Sequence, residues 1–106
     1  RSEVINAADR IAEQRQDAPP AVDVSDFVDH IDYLVELIGI DHVGISSDFD
    51  GGGGISGWSD ASETYNVTLE LVRRGYTEDD IQKLWGENLL RVLEEVQEVA
   101  RNWPQD

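Results

Sequence analysis

The sequence contains no cysteine and no methionine, and its 8 basic residues are far outnumbered by 23 acidic residues. The absence of cysteine excludes disulfides and thiolate metal sites, and it fits a reducing compartment. A net charge of −15 repels phosphate backbones and anionic lipid head groups, which disfavours nucleic acid and membrane surfaces as partners. Cations and basic partners remain compatible with this charge.

Long apolar runs are also absent. No stretch approaches the roughly 20 apolar residues of a membrane-spanning helix. Residues 1–4 do not begin an apolar run of signal-peptide length. From these absences we expect a soluble protein, with the cytoplasm as the favoured location. The chain starts without methionine, inside a helical pattern, so we also expect it to be a piece of a longer protein.

Helical periodicity dominates the 106 residues, which is about the length of one domain. Apolar residues at helical spacing predict a helix over residues 1–16, and Pro19 and Pro20 predict a linker over residues 17–21. Residues 22–100 form the main body. Its four helices have these predicted apolar residues: Phe27, Ile31, Leu34, Val35 and Ile38; Tyr65, Leu69, Val72 and Tyr76; Ile81, Leu84 and Trp85; and Leu89, Val92, Leu93, Val96, Val99 and Trp103.

Capping residues mark where these helices begin and end. Asp23 or Ser25 can cap the first helix of the main body, and Gly39 can end it. Residues 77–80, Thr-Glu-Asp-Asp, are typical of a capping box for the short helix. Asn88 is predicted to cap the last helix.

One β-strand is predicted, over residues 42–46, and it leads directly to Asp48 and four glycines at 51–54. A single strand leaves both edges unpaired, so its parallel partners must come from elsewhere. This favours a fragment of an α/β protein. In barrel enzymes the chemistry is usually placed at the C-terminal end of a strand. Asp48 is therefore the candidate catalytic residue.

The glycine-rich loop permits two other interpretations. Residues 52–57 fit the dinucleotide pattern G-x-G-x-x-G, but acidic residues precede and follow the glycines and would repel a pyrophosphate. As a calcium loop, Asp48 and Asp50 fill the first and third positions, whereas Gly52 and Ser59 stand where oxygen ligands are needed. An acidic, non-enzymatic helical module that binds calcium or a basic partner remains the alternative function.

The two histidines are predicted to be structural. His30 and Asp32 form a His-x-Asp pair, as in metallohydrolases, but residues two apart on a helix point to opposite sides and cannot share one ion. His42 lies at the start of the predicted strand, away from the loop. We therefore assign no metal ligand to this chain.

Residues 39–51, GIDHVGISSDFDG, resemble the renal (membrane) dipeptidase family, zinc peptidases of the amidohydrolase superfamily. The resemblance continues through residues 30–32, 71–81 and 86–92, and it covers about residues 22–100. The Asp-Phe-Asp-Gly run and the Asn-Leu-Leu-Arg-Val run make it specific. The glycine run and residues 57–64 are most similar to the bacterial branch.

The resemblance implies the C-terminal part of a (β/α)8 TIM-type barrel: the last strand with its surrounding helices, an incomplete barrel in this chain. It implies hydrolysis of the peptide bond of dipeptides by a metal-activated water. Two zinc ions would be bound per active site by ligands on the missing part of the chain. Asp48 matches the aspartate that interacts with this water and passes a proton to the leaving amine, whereas Asp50 is expected to structure the loop.

The implied partners are a dipeptide substrate, the remainder of the barrel and a second copy in a homodimer. Closing a barrel takes about 200 residues or more, so a chain of 106 residues cannot close one by itself. We therefore expect this chain alone to be inactive.

Overall fold

A computed structural model of the chain describes residues 21–105. Within that range lie the helices α1 (Val24–Ile38), α2 (Thr64–Arg73), α3 (Glu78–Gln82) and α4 (Asn88–Asn102). Short 3-10 turns span Ile40–His42 and Ala61–Glu63, and a π-helical turn, Lys83–Glu87, connects α3 to α4. The helix predicted over residues 1–16 and nearly all of the predicted linker lie outside the described residues.

Helix α1 begins and ends where its capping residues predict. The Asp26 amide donates to Asp23 Oδ1 at 3.0 Å, and the Asp23 amide donates to Asp26 Oδ2 at 3.1 Å. These reciprocal bonds satisfy two amides that a helix start leaves unpaired. The helix ends at Gly39, whose φ of 92° favours glycine. Asp23, and not Ser25, is therefore the cap.

Helix α2 packs on α1 through a different face from the predicted one. Val67 and Leu71 are fully buried, whereas Tyr65 and Val72 are 70% and 56% exposed. The helix carries two apolar stripes, and its contact with α1 decides which one is buried. The predicted stripe was therefore wrong at Tyr65 and Val72, whereas its last member, Tyr76, packs against the core.

The predicted capping box at the start of α3 is confirmed. The Asp80 amide donates to Thr77 Oγ1 at 3.1 Å, and the Thr77 amide donates to Asp80 Oδ2 at 3.3 Å. The π-helical turn that follows buries Leu84 almost completely. The short helix thus serves to bring Leu84 into the core.

The core of the described residues lies between α1, α2 and the π-helical turn. Its buried apolar members are Val28, Ile31, Val43, Trp58, Val67, Leu71 and Leu84. The predicted apolar stripe of α4, from Leu89 to Trp103, lies outside this core, and its side chains are between 47% and 74% exposed. Within the described residues, nothing covers this face of α4.

The strand predicted over residues 42–46 does not form within the described residues. His42 ends a 3-10 turn, and residues 43–48 continue as non-helical backbone, with Val43 extended at φ −118° and ψ 137°. A strand exists only with a hydrogen-bonded neighbour. The part of the chain that the structure describes offers two isolated bridges, Asp23 with Ser56 and Ile55 with Trp58. The described residues are therefore mainly helical, and the expected α/β pairing is not formed.

Helices α1 and α2 are joined by the guanidinium group of Arg74, whose side chain is 20% exposed. Its Nη1 donates to Asp29 and Asp32 at 2.7 Å each, and its Nε donates to Glu70 at 2.9 Å. Its Nη2 donates to the carbonyl oxygen and the hydroxyl of Ser25 at 2.9 and 3.0 Å. The bonds to Glu70, Asp32 and Asp29 raise the pKa of Arg74 above its ordinary value.

Asp32 has a second partner on the same side. The Tyr76 hydroxyl donates to Asp32 Oδ1 at 2.6 Å. Burial of the hydroxyl is the main reason that the pKa of Tyr76 is raised, and the hydrogen bond to Asp32 is the second reason. Both carboxylate oxygens of Asp32 are thus bound within a structural network.

No helix among residues 21–105 combines the length and the apolar character needed to cross a bilayer.

Replacing Arg74 with Met should loosen the contact between α1 and α2. We expect a local loss of about 2 kcal/mol, between the values for exposed and buried ion pairs. The amides of both helices should then exchange about 30-fold faster in the full-length protein, measured by hydrogen exchange and mass spectrometry. Arg73→Met is the matched control, because Arg73 is 64% exposed and makes one ion pair, to Glu70 at 3.6 Å. Equal effects of the two substitutions would contradict the role assigned to Arg74.

Candidate active site

Asp48 is closely wrapped by the glycine-rich loop. Its carbonyl oxygen accepts bonds from the amides of Gly51 at 2.9 Å and Gly53 at 2.8 Å. A Cβ atom at Gly53 would lie 2.6 Å from the Asp48 carbonyl carbon, and one at Gly51 would lie 2.5 Å from Asp48 Oδ1. Position 53 therefore needs glycine, because only a residue without a side chain allows this approach to the backbone, whereas a Cβ at position 51 would displace the Asp48 carboxylate. The structure thus places Asp48, the predicted catalytic residue, in a turn whose glycines lie directly against it.

Several amides of this loop are bonded to carbonyl oxygens of this chain. Gly51 and Gly53 direct theirs at Asp48, and the Ser56 amide donates to the Val22 carbonyl oxygen at 3.0 Å. A dinucleotide loop instead presents its backbone amides to a pyrophosphate. The geometry thus gives the G-x-G-x-x-G interpretation no support.

Asp50 lies at the tip of the turn with φ 68°. Asp and Asn tolerate this left-handed conformation better than most other residues with a side chain. The conformation is in keeping with the loop-structuring role expected for Asp50. The acidic residues after the loop are engaged locally: Asp60 accepts from the Ser62 amide at 2.9 Å, and Glu63 accepts from the Ser59 amide at 3.1 Å.

A cavity of about 270 Å³ lies beside Asp48. Its polar lining consists of Ser46, Ser47, Asp48, Gly53 and Gly54, and its apolar lining consists of Phe27, Phe49, Ile55 and Trp58. An exposed carboxylate at the edge of an apolar cavity is an arrangement that can bind a small molecule and exchange a proton with it.

Trp58 anchors the loop to the core and is only 4% exposed. Its ring meets Phe27, Phe49 and Trp85 edge to face, with centroid distances of 5.2, 5.4 and 6.1 Å. Its indole N–H donates to Thr64 Oγ1 at 3.1 Å. Sequence reasoning missed this residue. A large aromatic residue inside a glycine-rich loop is the signal that could have found it.

Asn88 fixes the segment that leads to Asp48. Its buried side-chain amide donates to the carbonyl oxygens of Ile40 at 2.7 Å and Val43 at 2.9 Å. Its Oδ1 accepts from Arg91 Nη1 at 3.1 Å, and Arg91 Nη2 donates to the Asp41 carbonyl oxygen at 2.7 Å. The prediction that Asn88 caps the last helix was wrong, because its side chain binds a distant segment.

Two further bonds tie the same segment to the π-helical turn. The Ile45 amide donates to the Leu84 carbonyl oxygen at 2.9 Å. Lys83 Nζ lies 2.8 Å from Asp41 Oδ1. This contact lowers the pKa of Asp41 and raises the pKa of Lys83. The position of Asp48 therefore depends on residues 83–91.

The histidines do not form a metal site in the described residues. His30 Nδ1 bonds the Asp26 carbonyl oxygen at 2.9 Å on the exposed side of α1, whereas Asp32 is held by Arg74 and Tyr76. His42 is exposed. Among residues 21–105 there is no group of three or more His, Cys, Asp or Glu side chains that could hold a metal ion. Zinc and calcium therefore do not fit the described residues, and we assign no step of a reaction to a metal within them.

Residues 4–106 match the family described as membrane dipeptidase (Peptidase family M19). The chain is 50% identical over 74 residues to dipeptidase ataJ of Aspergillus terreus, covering 69% of this chain and 18% of that protein. It is 46% identical over 88 residues to dipeptidase aclJ of Aspergillus oryzae, covering 82% of this chain and 21% of that protein. The chain thus spans about a fifth of these curated relatives.

A solved structure is also similar. The probable dipeptidase PvdM from Pseudomonas aeruginosa superimposes with a TM-score of 0.72 and 57% sequence identity. The match covers 78% of this chain and 20% of that structure. The two chains therefore share much of their sequence as well as the arrangement of their helices.

Replacing Gly53 with Ala should detach the loop, because the new Cβ would overlap the Asp48 backbone. We expect proteolytic cleavage within residues 49–60 of the full-length protein to accelerate by about tenfold or more, since cleavage follows the population of the open loop. Ser56→Ala is the control, because Ser56 is exposed in the same loop and its hydroxyl makes no hydrogen bond among residues 21–105. Unchanged cleavage in the Gly53 variant would contradict the close wrapping of Asp48.

Proposed function

This chain belongs to the membrane dipeptidase family, Peptidase family M19, and we propose that it is the C-terminal part of a zinc-dependent dipeptidase. The match over residues 4–106 and the dipeptidase relatives support this proposal. The chain corresponds to about a fifth of those relatives, so the activity belongs to a longer protein.

We further propose that residues 43–48 are the last strand of a (β/α)8 barrel. Two features support this placement. The segment is non-helical and has no strand partner among the described residues, and the apolar stripe of α4 is at least 47% exposed. Parallel strands in barrels are covered by neighbours and helices. We therefore propose that the remainder of the barrel contacts both residues 43–48 and the apolar stripe of α4.

The single observation that carries the proposed chemistry is the placement of Asp48. Its carboxylate is exposed at the edge of the cavity, and its main chain is fixed by the amides of Gly51 and Gly53. Cleavage of a peptide bond releases an amine, and an amine leaves readily only after its nitrogen receives a proton. We assign Asp48 both parts of this transfer: a carboxylate oxygen accepts a proton from the water that adds to the peptide carbonyl carbon, and it then donates this proton to the leaving nitrogen as the C–N bond breaks.

Zinc is our proposal for the whole protein, on the basis of the family resemblance. Its ligands would lie outside the described residues, because residues 21–105 contain no suitable group of side chains. A homodimer is proposed from the same resemblance, and a cytoplasmic location is proposed because the sequence contains no cysteine. The alternative function is a calcium-binding acidic module. The described residues do not support it, because residues 21–105 contain no group of carboxylates that could hold a metal ion.

Asp48→Asn in the full-length protein should lower kcat for a simple dipeptide by a factor of about 10² or more, as expected for the loss of a general acid–base group. The amide preserves the size of the side chain but cannot exchange a proton in the same way. Steady-state kinetics at matched metal content and matched circular dichroism would measure the effect.

Asp50→Asn is the control for this substitution. Asn adopts the left-handed conformation of Asp50, at φ 68°, as readily as Asp does. Its effect on kcat should therefore be much smaller. Full activity of the Asp48→Asn protein would remove Asp48 from the mechanism.

A further inference from the structure

We propose that the cavity beside Asp48 binds the side chain of the C-terminal residue of the dipeptide and selects apolar side chains. This inference rests on the proposed function and deepens it. The cavity is formed where the segment that carries Asp48 meets the glycine-rich loop and the ring of Trp58. Its occupant follows from its size, its lining and its position relative to Asp48.

The size of the cavity suits one side chain. Its volume of about 270 Å³ is below the roughly 300–1,000 Å³ of pockets that enclose complete small ligands. A leucine or phenylalanine side chain fits inside a cavity of this volume. The backbone of the substrate would remain outside the cavity, near the exposed carboxylate of Asp48.

The lining favours an apolar occupant. Its large side chains are those of Phe27, Phe49, Ile55 and Trp58, and Asp48 is the only charged residue among the lining residues. An acidic substrate side chain would be repelled by Asp48 and would lose its hydration against the aromatic rings. A basic side chain could form an ion pair with Asp48, but that ion pair would engage the carboxylate that transfers the proton.

The position of the cavity selects the C-terminal residue. In the proposed reaction Asp48 gives a proton to the leaving nitrogen, and that nitrogen belongs to the C-terminal residue of the dipeptide. The Cα atom of the C-terminal residue is bonded directly to this nitrogen. Its side chain is therefore the one that lies nearest Asp48 and the cavity beside it.

The cavity wall is held in place by the core. Trp58 is 4% exposed, and its ring contacts Phe27 and Phe49 edge to face at 5.2 and 5.4 Å. Ile55 is bridged to Trp58 by two backbone hydrogen bonds of 3.1 and 3.0 Å. A wall fixed in this way can discriminate between side chains that differ by one methylene group.

The test uses the full-length, metal-loaded protein and two series of dipeptides. In one series the C-terminal residue of Gly-Xaa varies through Gly, Ala, Val, Leu and Phe, and in the other the N-terminal residue of Xaa-Gly varies likewise. We expect kcat/KM to rise by about tenfold or more from Gly-Gly to Gly-Leu. The Xaa-Gly series should show a weaker dependence on side-chain size.

Variants of Ile55 test the cavity itself. Ile55→Ala enlarges it and should raise the ratio of kcat/KM for Gly-Phe over Gly-Val by about tenfold. Ile55→Phe fills it and should lower the same ratio. Ile81→Ala is the matched control, because Ile81 packs against the same core but does not line the cavity. These ratios do not depend on the fraction of correctly folded enzyme, so partial unfolding cannot imitate the result.

Three other outcomes would overturn the proposal, and each identifies which part of it is wrong. Dipeptide hydrolysis that is indifferent to the C-terminal side chain, or ratios that do not respond to Ile55, would refute the cavity assignment alone. A response of the Xaa-Gly series to Ile55 would refute the choice of the C-terminal residue. A metal-loaded protein that hydrolyses no dipeptide would refute the proposed function together with this inference.

Discussion

The side-chain amide of Asn88 supports the arrangement around Asp48. It is 5% exposed and binds the carbonyl oxygens of Ile40 and Val43, two groups that would otherwise lack a partner where the chain leaves its 3-10 turn. A buried carbonyl oxygen without a hydrogen bond destabilises a fold by about 1–3 kcal/mol. Through this contact the first turn of α4 fixes the start of the segment that ends at Asp48.

The candidate site is built outward from this fixed segment. The glycine-rich loop closes around Asp48 because Gly51 and Gly53 leave room for its backbone and carboxylate. Trp58 then secures the far side of the loop to Phe27 and Phe49. The result is an exposed carboxylate at the edge of an apolar cavity.

Local signals in the sequence predicted much of this structure. The caps at Asp23 and Thr77 act through residues three positions away, so the sequence alone shows both partners. The turn at Asp48 was predictable because glycines follow it directly. The family resemblance, carried by short runs around Asp48 and Asn88, is confirmed by the match over residues 4–106.

Distant partners explain what could not be predicted. Asn88 resembles a helix cap, but its partners lie 48 and 45 positions away in the sequence. The buried face of α2, with Val67 and Leu71, is selected by α1 and not by the periodicity of α2 itself. The strand was predicted from its residue types, but a strand forms only with neighbours, and those lie outside the described residues.

The central claim is that residues 43–48 form a barrel strand when the rest of the protein is present. Hydrogen exchange at the amides of Gly44, Ser46 and Ser47 tests it most directly, compared between the full-length protein and the 106-residue chain. The claim predicts exchange at least about 100-fold slower in the full-length protein, because parallel neighbours would bind these amides. Equally fast exchange in both proteins would show that the segment stays unpaired, and it would contradict the assignment of Asp48 to the end of a barrel strand.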